Sequence, residues 1–312
     1  MTTNKIHTPV LLNETIRILD INPNGIYVDA TAGFGGHSSA ILDKLSSKGK
    51  LICIDQDSAA IKYLNNKFAS NANVCVVKTN FINIQSVFSK NNINKVDGVI
   101  ADLGVSSLML DEPTRGFSYH ENGKLDMRMD QNQKLDAYYI VNKYSKAQLI
   151  NIFKKYGEAK EASAVASKIL DARAKKPITT TMELVDVIKS AVSKKTIFKH
   201  KHPARIYFQA IRMEVNNELE VLSSFINSVV KYLKVNGILA IITFHSLEDR
   251  LVKTIFNKLC SSSLPKEIPI KEDETIKFAL VNKKPIVPDN KEIKKNKRAH
   301  SAKLRAIKRI KE

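Results

Sequence analysis

A glycine-rich turn is the first segment of this sequence whose residue types could position a ligand. The run YVDATAGFGGHS joins an apolar strand to a helical stretch through Gly33, Gly35 and Gly36. Glycines at such a turn let the backbone approach a bound molecule closely. The G-x-G-G spacing lacks the third glycine of the dinucleotide fingerprint. The turn by itself therefore indicates either a nucleotide or nucleoside ligand or an ordinary tight turn.

Asp55 adds an acidic side chain at the end of the next apolar run, LICID. It follows Gly35 by 20 residues, close to the offset of an acid that accepts ribose hydroxyls. Its alternative role is to cap the following helix, although Asp57 can do so instead. Phe81, after the third strand, either contacts an adenine ring or packs in the core. Because no phosphate-gripping lysine follows the glycines, a nucleoside cofactor such as S-adenosylmethionine suits this turn.

The fourth predicted strand ends in ADLGVSS, at the edge of the sheet where ligands of open α/β folds bind. A transfer of methyl to the exocyclic amine of a base, one reaction that such a cofactor could support, would need acceptors that orient the N–H groups, because the amine lone pair is delocalised into the ring. Asp102 and nearby backbone carbonyls are the candidates for this task, with Ser106 as a second catalytic candidate. Alternatively, Asp102 caps the strand or contacts only the cofactor, and the serines belong to a turn.

Two other segments resemble catalytic or metal sites. His245 and Ser246 in FHSLEDR suggest a nucleophile, but no third partner is identifiable, so a structural or substrate-lining role is favoured. In LDMRMD, Asp126 and Asp130 are separated by Arg128, and this arginine favours an ion-pair network over a metal site.

The order of elements predicts an α/β fold. Apolar and helical stretches alternate from Ile26 to Cys75 as a βαβαβ unit, and later strands are predicted in KVDGVIADLG, GILAIITFHS and TIKFALVNK. Such apolar strands are buried on both faces, as in a parallel sheet covered by helices. Roughly 100 residues of helical pattern precede the last two strands, too many for a crossover connection. We therefore predict a discontinuous core, 1–110 and 206–312, with an inserted helical domain at 111–205.

Composition favours a polyanionic partner. Lys and Arg number 50 against 31 Asp and Glu, which gives a net charge of +19. A genome-wide bias towards lysine on solvated faces is the alternative. The three cysteines lack CxxC spacing, so we predict neither a disulfide framework nor a metal site. Because no signal-peptide pattern or membrane-length apolar run is present, we predict a cytoplasmic location and no membrane partner.

Eight segments occur in order along the chain: HTPVLLNE, DATAGFGGHS, DLGVSS, RGFSY, LDMRMD, HPAR with FQAIR and VNNEL, FHSLEDR, and RAHSAKLR. Together they closely resemble the MraW family of ribosomal RNA cytosine-N4 methyltransferases, from about His7 to Arg305. The resemblance implies a Rossmann-like S-adenosylmethionine-dependent methyltransferase core with an inserted helical domain. It also implies N4-methylation of a cytidine in the decoding region of small-subunit (16S) ribosomal RNA.

The resemblance also assigns roles to residues. A further cofactor contact of the family, usually Gln, falls on Met109, whose apolar side chain cannot make the hydrogen bonds of Gln. Ile206 and Tyr207 stand where the family typically has Arg and Thr, so an RNA contact by that Arg is lost or moved to Arg205. The remaining cofactor contacts of the family map onto Gly35, Gly36, His37, Asp55, Phe81 and Asp102.

The expected partner is small-subunit ribosomal RNA, free or within an assembled 30S particle, and the protein is expected to be a monomer or a homodimer. Phosphate contacts are expected from the basic C-terminal run through Arg309 and from Lys199, Lys201, Arg205 and Arg212, each of which can otherwise be a solvated charge. A non-catalytic RNA-binding assembly factor with the same fold is the alternative function. Retention of Asp55 and Asp102 argues against it. The other alternative is a nicotinamide-dependent dehydrogenase. Such an enzyme would carry the complete dinucleotide fingerprint, and this sequence lacks its third glycine.

Overall fold

The computed structural model describes residues 9–105, 107–193, 202–262 and 275–312, with residues 107 and 108 described by their main chain only. Within these ranges the strands are β1 Ile26–Asp29, β2 Lys50–Asp55, β3 Val74–Lys78, β4 Val96–Asp102, β5 Leu233–Thr243, β6 Phe278–Leu280 and β7 Lys303–Arg309. The helices are α1 Leu12–Leu19, α2 Gly36–Leu42, α3 Ser58–Lys67, α4 Ile84–Lys90, α5 Ser107–Asp111, α6 Ala137–Lys143, α7 Lys146–Lys155, α8 Ala162–Lys175, α9 Thr181–Ala191, α10 Arg205–Asn216, α11 Glu218–Val229, α12 Ser246–Leu259 and α13 Asn290–Lys295.

The strands form one sheet in the order β3-β2-β1-β4-β5-β7-β6. Strands β1 to β5 are parallel, whereas β7 runs antiparallel to both of its neighbours. The strand order reverses between β1 and β4, which is the point where open α/β sheets bind ligands. The predicted Rossmann-like α/β fold and its predicted strands are therefore confirmed.

Burial on both faces explains why the strands read as continuous apolar runs. In β2, Ile52 and Ile54 pack in one core cluster, whereas Leu51 and Cys53 pack in a second cluster. Side chains of a strand alternate between its two faces, and all four of these residues are fully buried. The first cluster contains residues of α4, α11 and α12, and the second contains residues of α1, α2 and α3.

The C-terminal strand β7 was not predicted, and it corrects the expected role of the basic run. Arg305 and Arg309 are buried, and Arg305 Nε donates to Asp249 Oδ1 at 2.6 Å. Arg309 Nε donates to the carbonyl of Lys311 at 2.9 Å. The prediction that this run supplies phosphate contacts is therefore wrong for Arg305 and Arg309, because both guanidinium groups are bound within the fold.

The chain divides into two compact units. The first consists of the segments up to Gly104 and from Leu219 onward, and the second is Val105–Glu218. The insert predicted at 111–205 lies inside the second unit, and its bounds stay a prediction. Among the helices of the described ranges, none combines the length and apolar character needed to cross a membrane.

Within the second unit, an ion pair orders the LDMRMD segment. The Arg128 guanidinium donates to both carboxylate oxygens of Asp126, at 2.8 and 2.6 Å. Burial would raise the pKa of Asp126, but the hydrogen bonds from Arg128 outweigh it and lower this pKa. The Asn216 amide also bonds the backbone of Met127 and Met129. The predicted ion pairing is thus confirmed for Asp126 and Arg128.

We expect Asp249→Ala to lower the free energy of unfolding by about 3 kcal/mol at neutral pH, because Arg305 would be left buried without its carboxylate. Bonds from Arg305 and Lys303 outweigh burial and lower the pKa of Asp249 below 3.8. The contribution is therefore present above that pH and lost as the pH falls through the folded pKa.

Urea unfolding at a series of pH values tests this expectation, with Asp186→Ala at the exposed Asp186 as the control. The wild type and Asp249→Ala should differ by a constant amount above about pH 5 and converge below it. A difference that is the same at every pH would contradict the assignment of the effect to the ionised carboxylate.

Candidate active site

Three carboxylates lie at the carboxyl edge of the parallel sheet. Asp29, Asp55 and Asp102 are the last residues of β1, β2 and β4, which are neighbours in the order β2-β1-β4. Strands in parallel register end at one edge, so the topology places these three acids at the switch point of the sheet. This edge is the candidate active site.

The glycine-rich turn between β1 and α2 adopts backbone conformations that suit glycine. Gly33 and Gly35 have φ values of +51° and +69°, and the Gly35 N–H donates to the Ala32 carbonyl at 2.7 Å. A Cβ atom on Gly36 would overlap the ring of Pro9. Lys67 Nζ donates to the carbonyl oxygens of Phe34 and Gly35, each at 3.1 Å. The conformation of the turn is therefore fixed by Pro9 packed against Gly36 and by Lys67 bonded to two carbonyls of the turn.

Asp55 binds the backbone of this turn. Its Oδ2 accepts from the Gly33 N–H and its Oδ1 from the Asp57 N–H, both at 2.8 Å. Asp57 is the N-cap of α3 and accepts from the Ala59 N–H at 2.9 Å, so Asp55 is not needed as the cap. Burial outweighs these backbone bonds and raises the pKa of Asp55. Each carboxylate oxygen has a second lone pair that can accept a ribose hydroxyl.

Asp29 is the acid that the sequence analysis missed. Ser38 Oγ donates to its Oδ2 at 2.6 Å, and the Thr31 N–H donates to its Oδ1 at 3.3 Å. Burial raises its pKa to about 6, although the bonds from Ser38 and Thr31 partly oppose this shift. The available signal was its position at the end of a predicted strand, which it shares with Asp55 and Asp102.

Asp102 is the least satisfied of the three acids. Its Oδ1 is buried and, among the described residues, has no hydrogen-bond partner. Its Oδ2 lies 3.8 Å from Nδ1 of His37, whose Nε2 is 3.1 Å from the Val10 carbonyl oxygen. Burial, followed by the charges of Asp29 and Glu248, raises the pKa of Asp102 well above its ordinary value. An unsatisfied acceptor at this edge suits a ligand that presents N–H groups.

Phe81 is positioned by a short turn and by packing against the core. It begins a 3₁₀ turn, Phe81–Asn83, capped by Asn80, which accepts from the Ile82 N–H at 3.0 Å. Its ring is partly buried and meets Phe225 edge-on at a centroid distance of 5.0 Å. Core packing therefore accounts for part of the side chain, and the adenine contact stays a prediction.

The remaining predicted residues are described to different extents, and one of them, His245, follows β5 at this same edge of the sheet. Met109 is a buried residue of α5 in the second unit. Ser106, Lys199 and Lys201 lie outside the described residues. His245 is the N-cap of α12, where it forms a capping box with Glu248, in agreement with the favoured structural role.

The two remaining candidates for RNA contact differ in environment. Arg205 is exposed at the first position of α10. Arg212 donates to both carboxylate oxygens of Glu218, at 2.7 and 2.9 Å, and its side chain is 17% exposed. Arg205 is thus the better placed of the two for a phosphate. Tyr207, one of the departures from the family pattern, is buried and meets Phe153 edge-on.

We expect Gly35→Ala to lower the free energy of unfolding by more than Gly33→Ala does. Both substitutions put a side chain at positive φ, which costs about 1–2 kcal/mol. The Cβ atom at position 35 would also lie 2.9 Å from Leu64 Cδ2 and 3.1 Å from the Phe68 ring, whereas position 33 is open.

Urea unfolding of the two variants measures this difference, and Gly33→Ala is the matched control for the backbone cost. Equal losses at the two positions would contradict a close approach of Gly35 to α3.

Comparison with known proteins gives the chain its family. The MraW methylase family matches residues 4–310. A protein of Ureaplasma urealyticum named ribosomal RNA small subunit methyltransferase H is 54% identical over 301 residues, which cover 96% of this chain and 97% of that protein. Proteins of the same name from Fusobacterium nucleatum and Streptococcus mutans are 49% and 47% identical, with at least 98% of each chain covered.

A solved structure, that of an rRNA methylase from Streptococcus thermophilus, aligns with a TM-score of 0.43 at 12% identity, over 100% of this chain and 99% of that chain. At this similarity the fold assignment rests on the sheet topology. The resemblance found in the sequence is confirmed by the family match and by the relatives: the chain belongs to the MraW methylase family.

Proposed function

We propose that this chain is an S-adenosylmethionine-dependent methyltransferase that methylates the exocyclic N4 of a cytidine in the decoding region of small-subunit (16S) ribosomal RNA. The observation that carries the proposal is family membership over nearly the whole chain, with relatives named as ribosomal RNA small subunit methyltransferases at 47–54% identity. The acidic edge of the sheet supports it, because the edge offers acceptors for a ribose and for an amine.

The chain supplies a frame for a nucleoside cofactor. Gly35 and Gly36 keep side chains away from the turn, and Lys67 holds the carbonyls of the turn in place. Asp55 has lone pairs left for the ribose hydroxyls. When bound there, S-adenosylmethionine supplies an activated methyl group on a sulfonium. In this assignment Gly35, Gly36, His37, Asp55, Phe81 and Asp102 line the cofactor site, and the family's further contact falls on Met109, whose apolar side chain cannot make the hydrogen bonds of Gln.

Asp102 orients the amine that receives the methyl group. Its buried Oδ1 accepts one N4–H bond of the cytosine and aligns the nitrogen for in-line attack on the methyl carbon. Alignment of this kind is worth about 7–11 kcal/mol in favourable cases. No covalent intermediate forms on the chain, so a nucleophilic cysteine is not needed. Burial raises the pKa values of Cys53 and Cys260 to about 12 and about 11, which keeps both thiols protonated.

RNA binding requires attraction between the basic protein and the phosphates, and it requires that the target base be able to enter the active site. The target base must leave its stack, which costs least in an unpaired segment. The net charge of +19 attracts the phosphate backbone. Arg205 is the phosphate contact among the described residues, and Lys199, Lys201 and Ser106 are assigned to the RNA and catalytic sites by sequence alone.

We expect the protein to transfer labelled methyl from S-adenosylmethionine to small-subunit particles, with the label recovered as N4-methylcytidine on nucleoside analysis. Asp102→Asn should abolish most of this transfer. The carboxylate of Asp102 both accepts the N–H hydrogen bond and can take up a proton, and a neutral amide cannot take up a proton. Asp186→Asn changes an exposed aspartate of α9 in the same way and should retain full activity.

The nature of the product decides between functions. Label in another nucleoside would keep the methyltransferase and discard the N4 target. Cofactor binding without transfer to free RNA or to particles would contradict the proposal and favour the RNA-binding assembly factor.

We expect Arg205→Ala to weaken RNA binding by a similar factor for every sequence. In a plot of the logarithm of the association constant against the logarithm of the salt concentration, the negative slope should become shallower by about 0.7–0.9. This is the change expected when one phosphate contact, and the counterion that it releases, is lost. Arg212→Ala is the comparison, because Arg212 is bound to Glu218 and should leave the slope unchanged while lowering stability. Filter binding at several salt concentrations measures both, and equal slopes for wild type and Arg205→Ala would remove Arg205 from the RNA contact.

A further inference from the structure

His37 and Asp102 form a pair of titratable groups at the edge of the sheet, in the first unit. His37 Nε2 lies 3.1 Å from the carbonyl oxygen of Val10. A carbonyl oxygen can only accept, so Nε2 carries a proton and donates it. The ring is then oriented with Nδ1 3.8 Å from Asp102 Oδ2. His37 is 5% exposed, so the ring is held in this orientation by the fold.

The main chain of Asp102 is held by a hydrogen bond, and its two carboxylate oxygens face different surroundings. Its N–H donates to Thr31 Oγ1 at 2.6 Å, and Oδ1 is buried and lacks a hydrogen-bond partner within the described ranges. One carboxylate oxygen therefore faces His37, and the other is left for a ligand. Before the reaction, Oδ2 of Asp102 thus faces His37, and Oδ1 is the acceptor for the substrate.

The surroundings of this pair favour the uptake of a proton by Asp102. Asp29 of β1 and Glu248 of α12 both act on Asp102, and burial adds to their effect, so the pKa of Asp102 is raised well above its ordinary value. Glu248 is itself buried and accepts from the Phe244 N–H at 2.9 Å. Among these groups, His37 is the one whose ring nitrogen can hold a proton next to Asp102.

We propose that His37 and Asp102 act as one proton acceptor, in which Asp102 takes the proton released by the methylated amine and His37 Nδ1 shares it. This rests on the proposed function and extends it, because it names the base of the reaction. His37 is the positioning residue of the pair, and Asp102 contacts the substrate.

The N4 lone pair forms the new bond to the methyl carbon, and the carbon–sulfur bond breaks with its electron pair left on sulfur. The cationic N4 gives one proton to Oδ1 of the ionised Asp102. Rotation of the carboxyl group then turns this proton towards Nδ1 of His37, and the proton leaves to solvent when the product departs. The separation of 3.8 Å shortens in this step, since catalytic hydrogen bonds are often long before the substrate binds.

The pair is active only without the shared proton, so the rate should rise with pH. Single-turnover methyl transfer at saturating S-adenosylmethionine, measured across pH, tests this directly. His37→Gln retains an amide N–H that can donate to Val10 but has no titrating Nδ1. Because His37 also lines the proposed cofactor site, the cofactor Kd of the variant is measured separately and transfer is compared at saturation. Under these conditions we expect His37→Gln to slow transfer about tenfold or more and to move the pH midpoint. Asp102→Asn should slow transfer about 100-fold and remove the pH dependence.

The exposed His300 provides the matched control, since His300→Gln also removes one imidazole and should leave both rate and pH midpoint unchanged. A His37→Gln variant with the wild-type rate and midpoint would overturn the proposal. So would a loss of rate explained entirely by a weaker cofactor Kd, because His37 would then only bind cofactor.

A second readout does not depend on the RNA substrate. The ¹⁵N signals of the imidazole rings in the full chain can be followed with pH, and His37→Gln identifies the His37 signal among those of the 7 histidines. We expect a proton on Nε2 at every pH and a changed midpoint for His37 in Asp102→Asn. A proton on Nδ1 instead, or an unchanged midpoint, would overturn the pair. Absence of any methyl transfer by wild type together with an intact His37–Asp102 coupling would instead count against the proposed function.

Discussion

The meeting of three buried or largely buried carboxylates at one edge of the sheet is the constraint on which the rest of this site depends. The parallel order β2-β1-β4 makes Asp55, Asp29 and Asp102 neighbours. A buried carboxylate is costly unless it is hydrogen-bonded or paired with a cation. The first unit satisfies Asp55 and Asp29 with groups from the segments that follow their strands, whereas Asp102 is satisfied only in part.

The three acids are satisfied to different degrees. Asp55 receives two backbone N–H groups, one of them from Gly33 at positive φ. Asp29 receives a hydroxyl and an N–H group. Asp102 has its Oδ1 without a protein donor in the described ranges and a histidine beside its Oδ2. Asp55 thus holds the glycine-rich turn through backbone N–H groups, whereas Asp102 keeps an acceptor that no described residue satisfies. Three aspartates at one edge of the sheet are thus distinguished by the hydrogen bonds that each receives.

Much of the fold was readable from the sequence because its signals are local. Apolar runs predicted β1 to β6, and the turn glycines and strand-end acids Asp55 and Asp102 predicted the edge where the site lies. Strand β7 escaped because KLRAIKR carries four basic residues in seven, which resembles a solvated run. The partner that makes Arg305 suitable for burial, Asp249, lies 56 residues earlier in the chain. The pairs His37–Asp102 and Arg212–Glu218 escaped for a related reason, since spacing alone does not say which charges meet.

The position of β7 has a consequence for how the protein is made. Strand β7 lies between β5 and β6 and pairs with both, yet it is the last strand of the sheet to be synthesised. Until residues 303–309 have emerged from the exit tunnel of a translating ribosome, β5 and β6 have no partner at this side of the sheet. An unpaired strand edge on a nascent chain favours aggregation. Completion of the sheet therefore waits for residues 303–309, and translation that stops before residue 303 yields a chain that quality-control proteases can recognise by its open edge.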